Sequence, residues 1–505
     1  MSQLLAPILL CCLGLYFTFF KFWHGFDAIS GDIGDPRFNA YVLEHTWLWL
    51  RGVHTSLFDM PMFYPYTNTY AYSDFMLGFA PIYWFFRAIG CEILLSYQWW
   101  IIGCATLNFG AVYILARKYF NQSTLLASLA AFIFSFSLPR ITHLGHAQLM
   151  GQFFIVISAM GALLWWKDPT SKKAPWFFCT GAVLQFISAF YFFWFWVWTL
   201  AIYGFYVLKN PERRVKTKAW LAQVPRSSFI LPFIVNGLLA APFLYHYALS
   251  AKEFGRRDWV SVSNTSPRIY SWFDLPVDHW EWTMVPFKNW IAQLPAPVEH
   301  YLSFGILTWV GMISALIWVY RKKPELKFLS IPLIAMFIFT ITSGRFSTWV
   351  FMSYFFPGGG VIRAVSRIHI FMLLFWSIIF TSFLSDLYLS FDRRKKIVAT
   401  LMVMALFVEN IYLSDWTFSR SVERERLYKT AQLIPADCEV IVSPAGFAPF
   451  ADHTNIDAVM LAFQTGRSTV NGYSGHEPKD FRESMGLIPG ISKMKKTCML
   501  NPPVL

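Results

Sequence analysis

The chain has 505 residues, 56% of them hydrophobic and 19% aromatic, with 52 Phe, 23 Trp and a mean hydropathy of +0.43. Repeated long apolar runs exclude a soluble globular fold and predict a polytopic α-helical membrane protein; their continuous, non-alternating apolarity excludes a transmembrane β-barrel. The formal charge of +13 does not indicate nucleic acid, because the basic residues sit in short loops between apolar runs, as the positive-inside rule expects.

In chain order, the first apolar segment, 4–23, lacks a basic leading region and a clear small-residue cleavage site. It reads as a retained first crossing rather than a signal peptide. The stretch 24–72 follows at once and carries Asp27, Asp32, Asp35, Glu44 and Asp59, with Asp74 just beyond, in a chain only 14% charged. A membrane enzyme is expected to gather acidic chemistry at the mouth of the bilayer in this way. A short apolar stretch, 75–90, has Pro81 at its middle and reads as a re-entrant or juxtamembrane element. Longer apolar segments follow at 93–116, 123–138, 149–166, 176–190, 192–208, 229–248, 303–320, 329–342, 368–388 and 397–413.

The basic loops fall at 117–118, 167–173, 209–226, 321–327 and 393–396. Placing all of them in the cytoplasm predicts about eleven crossings, or about twelve if 75–90 spans, with the N-terminus inside and the tail outside. The outer loops are then 24–92, 139–148, 249–302 and 343–367. The 249–302 loop, with Trp259, Trp272, Trp280, Trp282, Asp274, Asp278 and Glu281, reads either as a partly ordered lid or as an interfacial aromatic belt without a ligand. Residues 1–414 are thus expected to form an all-α transmembrane bundle, and 415–505 a small extracytoplasmic α/β domain. That tail has a helical SRSVERERLYKTAQLI, a strand-like CEVIVSP, a helical AVMLAFQT and turns at NGYSG. Cys438 and Cys498 pair in an oxidising compartment or remain two free thiols. Cys11 and Cys12 lie inside a helix, and the seven Cys show no metal or redox spacing. No Walker motif, no glycine-rich dinucleotide loop and no inverted repeat is present.

Four polar constellations stand out. In GDIGDPRFNAY, residues 31–41, Asp35-Pro36 opens a helix. Asp35 either caps that helix or serves as a general base or metal ligand, with Asp32 as second candidate. Asn39, four residues on, shares its helical face, and Glu44 sits further along; Arg37 lies between. In PRITHLGHAQL, residues 139–149, Arg140, His143, His146 and Gln148 crowd between two crossings. The two histidines read as loop residues bonded to backbone, as contacts to a phosphate or carboxylate, or as metal ligands lacking an adjacent carboxylate. In FPGGGVIRAVSRIHI, residues 356–370, Arg363 and Arg367 stand one helical turn apart on an outer face, against the positive-inside trend. An anionic lipid phosphate explains them, and so does headgroup snorkelling. In VNGYSGHEP, residues 470–478, turn chemistry accounts for the glycines, while Tyr473 and His476 are candidates to line an acceptor groove. Asp386, Asp392 and Glu409, near helix ends, read as structural.

The layout of 1–415, with Asp35-Pro36-Arg37-Phe38-Asn39, Tyr64-Pro65 downstream and Pro139 closing a later crossing, resembles the GT-C superfamily of polyprenyl-phosphate-dependent glycosyltransferases. The closest echo is with oligosaccharyltransferase catalytic subunits, whose first outer loop carries an Asp-Pro-x-Phe-Asn stretch. Two features of those subunits are missing: the acidic motif of the second outer loop, where His143 and His146 stand instead, and the Trp-Trp-Asp signature of the tail. The branch that transfers single sugars is the better match. The resemblance implies transfer of a sugar from a polyprenyl-phosphate donor to a glycan, lipid or protein acceptor, in a bacterial inner membrane. It implies Asp35 as base, Arg363 and Arg367 on the lipid phosphate, and Arg37, Asn39, Glu44, Arg140, His143, His146, Tyr473 and His476 as substrate contacts. If a divalent cation such as Mg or Mn takes part, Asp35, His143 and His146 are its ligands. A lipid or glycan transporter and a non-catalytic assembly subunit of the same fold are the competing expectations. Ionisable residues crowd the outer mouth rather than the middle of helices, which favours an enzyme working from one side.

Overall fold

A computed structural model describes residues 2–285, 288–343, 346–390, 392–414, 416–443, 452–478 and 496–499. Every apolar segment folds as helix, the arrangement in which a chain in lipid satisfies its own backbone. Among the described residues, six helical stretches are long and apolar enough to cross a membrane: Ile93–Tyr119, Thr124–Ile141, Ala147–Lys167, Phe190–Lys209, Arg226–Phe254 and Val365–Tyr388. The other expected crossings are shorter helices: Ser2–Thr18, Ala174–Phe186, Ile306–Lys322, Lys327–Thr340 and Arg393–Glu409. The 75–90 stretch yields only the helix Ala80–Ala88. At 1.5 Å per residue it is roughly 14 Å long, well under a bilayer core of about 30 Å.

The bundle is tightly drawn. Thr124–Phe136 packs against Ser2–Thr18, Ile93–Tyr119 and Ile368–Ser390, and its Ala127, Ala130 and Ala131 are fully buried, the small side chains that let helices approach in lipid. Phe153–Lys167 meets Ala174–Phe186 so closely that a Cβ on Gly161 would stand 2.3 Å from the Phe178 amide nitrogen.

At one end the expected outer loops and the tail interlock. The strand Ala28–Ser30 pairs antiparallel with Thr417–Ser419, and the Asp27 carboxylate accepts from the Ser419 hydroxyl at 2.6 Å and the Ser421 amide at 2.8 Å. Phe63 and Tyr64 donate their amides to the carbonyls of Asn471 and Thr469. Asn68 bonds His246 and Ser250 at the top of Arg226–Phe254. Within the tail, Val440–Val442 runs parallel to both Ser468–Thr469 and Thr497–Met499, beside the helices Arg420–Gln432 and Asp452–Thr465. Cys438 and Cys498 are disulfide-bonded, with Cα atoms 5.8 Å apart. Asp415, at the expected boundary, and most of 479–505 lie outside the described residues.

The tryptophans of the 249–302 loop differ in burial. Trp272 is fully buried against Phe304, Trp309 and Phe337, whereas Trp280 is exposed. Glu409 proves structural, as expected: its carboxylate accepts the Leu307 and Thr308 amides at 2.6 and 2.8 Å and so caps Ile306–Lys322.

Candidate active site

The local reason for the site is the GDIGD run. Asp32 Oδ1 accepts from the amides of Gly34 and Asp35 at 2.9 and 3.0 Å, and Pro36 presets the first turn of Asp35–Leu50. Capping therefore falls to Asp32 and not to Asp35, whose carboxylate is free to face inward. Two glycines make room for its partners. Gly31, at φ +105°, touches Gly145, where a Cβ would lie 2.6 Å from the Gly145 Cα. That contact brings the second loop onto the first. A Cβ on Gly34 would stand 2.7 Å from the Tyr473 hydroxyl. Asp35 consequently receives the Tyr473 hydroxyl on Oδ1 and His146 Nδ1 on Oδ2, each at 2.5 Å.

From His146 the contacts continue. Its Nε2 lies 3.7 Å from Glu299 Oε1. Glu299 is held by Arg367 at 2.7 Å and by the Ser366 hydroxyl at 3.1 Å. Arg367 lies 5.6 Å over the Tyr191 ring, and the Tyr191 hydroxyl accepts from the amides of Arg363 and Ala364 at 3.0 and 3.2 Å. One chain of contacts thus draws on the tail and on every expected outer loop. The side chains of Asp35, His146 and Glu299 are largely enclosed by protein yet 27%, 21% and 11% exposed.

Burial acts to raise the Asp35 carboxyl, but the charge and hydrogen bond of His146, the Tyr473 hydroxyl and the charge of Arg367 outweigh it and hold it at about 2. Burial is likewise outweighed at Glu299, which Arg367 and His146 hold well below the usual carboxylate range. Asp74 is different. It accepts the Phe190 amide at 2.7 Å and feels Arg367, but burial dominates and pushes it up to about 6.

Cations gather alongside. The Arg257 amide bonds the Gly360 carbonyl at 2.8 Å and its Nη2 bonds the Gly475 carbonyl at 2.5 Å, while its Nε is buried without a partner. Arg363 is exposed. His476 packs on Phe254, and its imidazole is lowered to about 3, first by burial and then by the charges of Arg257 and Arg363. Among the described residues, no ion pair joins either arginine to a carboxylate.

The remaining residues singled out in the sequence have other partners. Arg37 is fully buried and joins Glu423 at 2.9 Å and Asp457 at 2.5 Å in the tail. Glu44 pairs with Arg87 at 2.7 Å and accepts from the Tyr83 hydroxyl at 2.6 Å. Asn39 bonds Gln148 at 3.0 Å, on the face it shares with Asp35. Arg140 is spent on the carbonyls of Phe134, Leu149 and Met150 and on Gln152. His143 and His146 do not share a helical face, because the helix there ends at Ile141. His143 turns toward the Pro139 carbonyl and Thr142, with its ring 5.0 Å from that of His369. Arg363 and Arg367 likewise diverge, one outward and one onto Glu299. Sequence reasoning missed Glu299, Tyr191 and Arg257; the signal for Glu299 was an acid just after Pro295 and Pro297 at the end of the Trp-rich loop.

As a metal shell the donors do not fit this arrangement. His146 gives Nδ1 to Asp35, Glu299 is committed to Arg367, and His143 points elsewhere. No cluster of three His, Cys, Asp or Glu groups is disposed to hold an ion among the described residues. A small, mostly apolar cavity of about 20 Å³ lies within the bundle, lined by Phe132, Phe304, Trp376 and Phe407, and no member of the polar chain lines it.

No family model matches the chain, and no curated protein matches it. Among solved structures, it is similar to the crystal structure of the Archaeoglobus fulgidus oligosaccharyltransferase tethered through a disulfide bond to an acceptor peptide containing the NVT sequon. The identity is 12% and the TM-score 0.48, with 93% of this chain covered. The chain spans 64% of the length of that protein.

Proposed function

We propose that this protein is an integral-membrane glycosyltransferase of the GT-C kind. It transfers a hexosyl or pentosyl unit from a polyprenyl-phosphate donor to a glycan, lipid or protein acceptor at the extracytoplasmic face. A bacterial inner membrane, with the N-terminus cytoplasmic and the tail outside, suits the basic loops and the Cys438–Cys498 bond. The observation that carries the reading is the hydrogen-bonded pair of Asp35 and His146 at the loop-bearing end of an apolar bundle, in one run of contacts with Glu299, Arg367 and Tyr191, to which Arg363 connects through the Tyr191 hydroxyl.

In this reading the Asp35–His146 pair accepts the proton of an acceptor hydroxyl, whose oxygen attacks the anomeric carbon. The lipid phosphate leaves, already ionised, so a second carboxylic acid of the glycosidase kind is unnecessary. Arg363 and Arg257 stabilise the charge that develops on it. Arg367 contributes its field, being bonded to Glu299. A single displacement inverts the anomeric centre. The donor set does not fit Mg or Mn, and no step is routed through a metal.

The test is a transfer assay on purified protein with a panel of polyprenyl-phosphate sugars, run with and without chelator. Transfer is expected in both, with a loss of about 100-fold or more in Asp35→Asn. Silence on every donor refutes the reading, and a chelator-sensitive activity refutes the metal-free site.

A further inference from the structure

Asp35 is poorly disposed to keep a proton. Each of its oxygens already accepts a short hydrogen bond, one from Tyr473 and one from His146, and such bonds favour the ionised carboxylate. His146 is placed otherwise. Its Nδ1 is spent on Asp35, which orients the ring, whereas its Nε2 has no hydrogen-bond partner among the described residues. The Glu299 oxygen at 3.7 Å lies outside bonding range. Arg367 at 2.7 Å and Ser366 at 3.1 Å satisfy that carboxylate and offset its charge. The result is an oriented ring with one nitrogen that has no hydrogen-bond partner among the described residues, on a side chain 21% exposed.

We propose that His146 Nε2 takes the proton of the acceptor, and that Asp35 is a positioning residue that holds the ring and balances its charge. The inference rests on the glycosyl-transfer reading above. In the step, the acceptor O–H bond breaks and its proton passes to Nε2. The electron pair left on that oxygen forms the new bond to the anomeric carbon. The bond from that carbon to the phosphate oxygen breaks, and its electron pair leaves with the phosphate. The imidazolium so formed lies beside Asp35 and Glu299 until it releases the proton to water.

Chemical rescue of the full-length protein tests this. In His146→Gly, kcat is expected to fall by about 100-fold or more, with the donor KM unchanged within about twofold, and added imidazole is expected to raise kcat by about tenfold or more. Asp35→Asn is expected to lower kcat with the same unchanged KM. Formate is expected to leave an Asp35→Gly/His146→Gly double variant inactive. If the glycine variants do not fold, His146→Gln is used, and the same loss of kcat is expected. A His146→Gln or His146→Gly protein within about threefold of wild type overturns the inference, as does formate rescue of the double variant. Those outcomes leave glycosyl transfer standing, whereas a wild-type protein silent on every donor removes both.

Discussion

Arg37 offers a direct test, because two readings of it predict different measurements. Its sequence position, two residues after Asp35, suggests a substrate contact. Its fully buried side chain instead joins Glu423 at 2.9 Å and Asp457 at 2.5 Å, and its Nε bonds the Ile33 carbonyl. Both acids also share Arg426, at 2.7 and 2.6 Å. In Arg37→Met the volume is largely kept, but the buried Glu423 and the half-buried Asp457 are left with one cation. Removing one partner of a buried pair costs roughly 3–5 kcal/mol. Because Arg426 remains, the expected cost is at the lower end, ~3 kcal/mol. The bonds lost join Asp35–Leu50 to Arg420–Gln432 and Asp452–Thr465, so the tail that carries Tyr473 should loosen with them. The assay is unfolding in detergent, followed by denaturant titration and by protease nicking near residues 410–420. Adding Asp457→Asn removes the stranded charge and should recover part of the loss. A variant as stable as wild type, with an equally protected tail and only a raised donor KM, would refute the reasoning and return Arg37 to the substrate.

Other outcomes follow from the same geometry. Asp35 is depressed from the ordinary 3.8 to about 2, so its stabilisation is present above the ordinary value and is lost as pH falls from about 4 toward 2. Unfolding measured against pH should show an acid limb of ~2 kcal/mol that Asp35→Asn lacks; identical limbs would count against the His146 and Tyr473 bonds. Tyr473→Phe removes one charge-assisted bond to Asp35, typically ~1.5–3 kcal/mol, and should let the Asp35 carboxyl rise and slow transfer by about tenfold with the tail still docked. Unchanged activity would exclude Tyr473 from the site. Reducing Cys438–Cys498 opens a loop of 60 residues, and the chain-entropy estimate is about 4 kcal/mol lost from the tail. Unfolding with and without reductant measures it, and equal midpoints would show that the bond contributes nothing.

Much of the site's first half was legible in advance. An Asp-Pro at the start of a polar helix just beyond an apolar segment marks Asp35 without any tertiary information, and the excess of acids over 24–74 marks the loop. Which residue caps the helix was not legible. Asp32 and Asp35 are both suited to the task, and only the backbone path through Gly31 and Gly34 decides between them. The spacing of His143 and His146 suggested a common face. The helix stops at Ile141, so the two rings go to different neighbours, one to Pro139 and one to Asp35.

Composition and periodicity alone determined that this chain is a bundle of apolar helices, because burial in lipid permits little else for runs of this length. They also marked where the acidic run starts, since charge is costly in such a chain and stands out in it. The tertiary structure decided the partners: Tyr473 and His146 for Asp35, and Glu423 and Asp457 of the tail for Arg37. Those pairings join residues more than 100 positions apart, and a hydrogen bond depends on distance in space, which no local pattern of residues encodes.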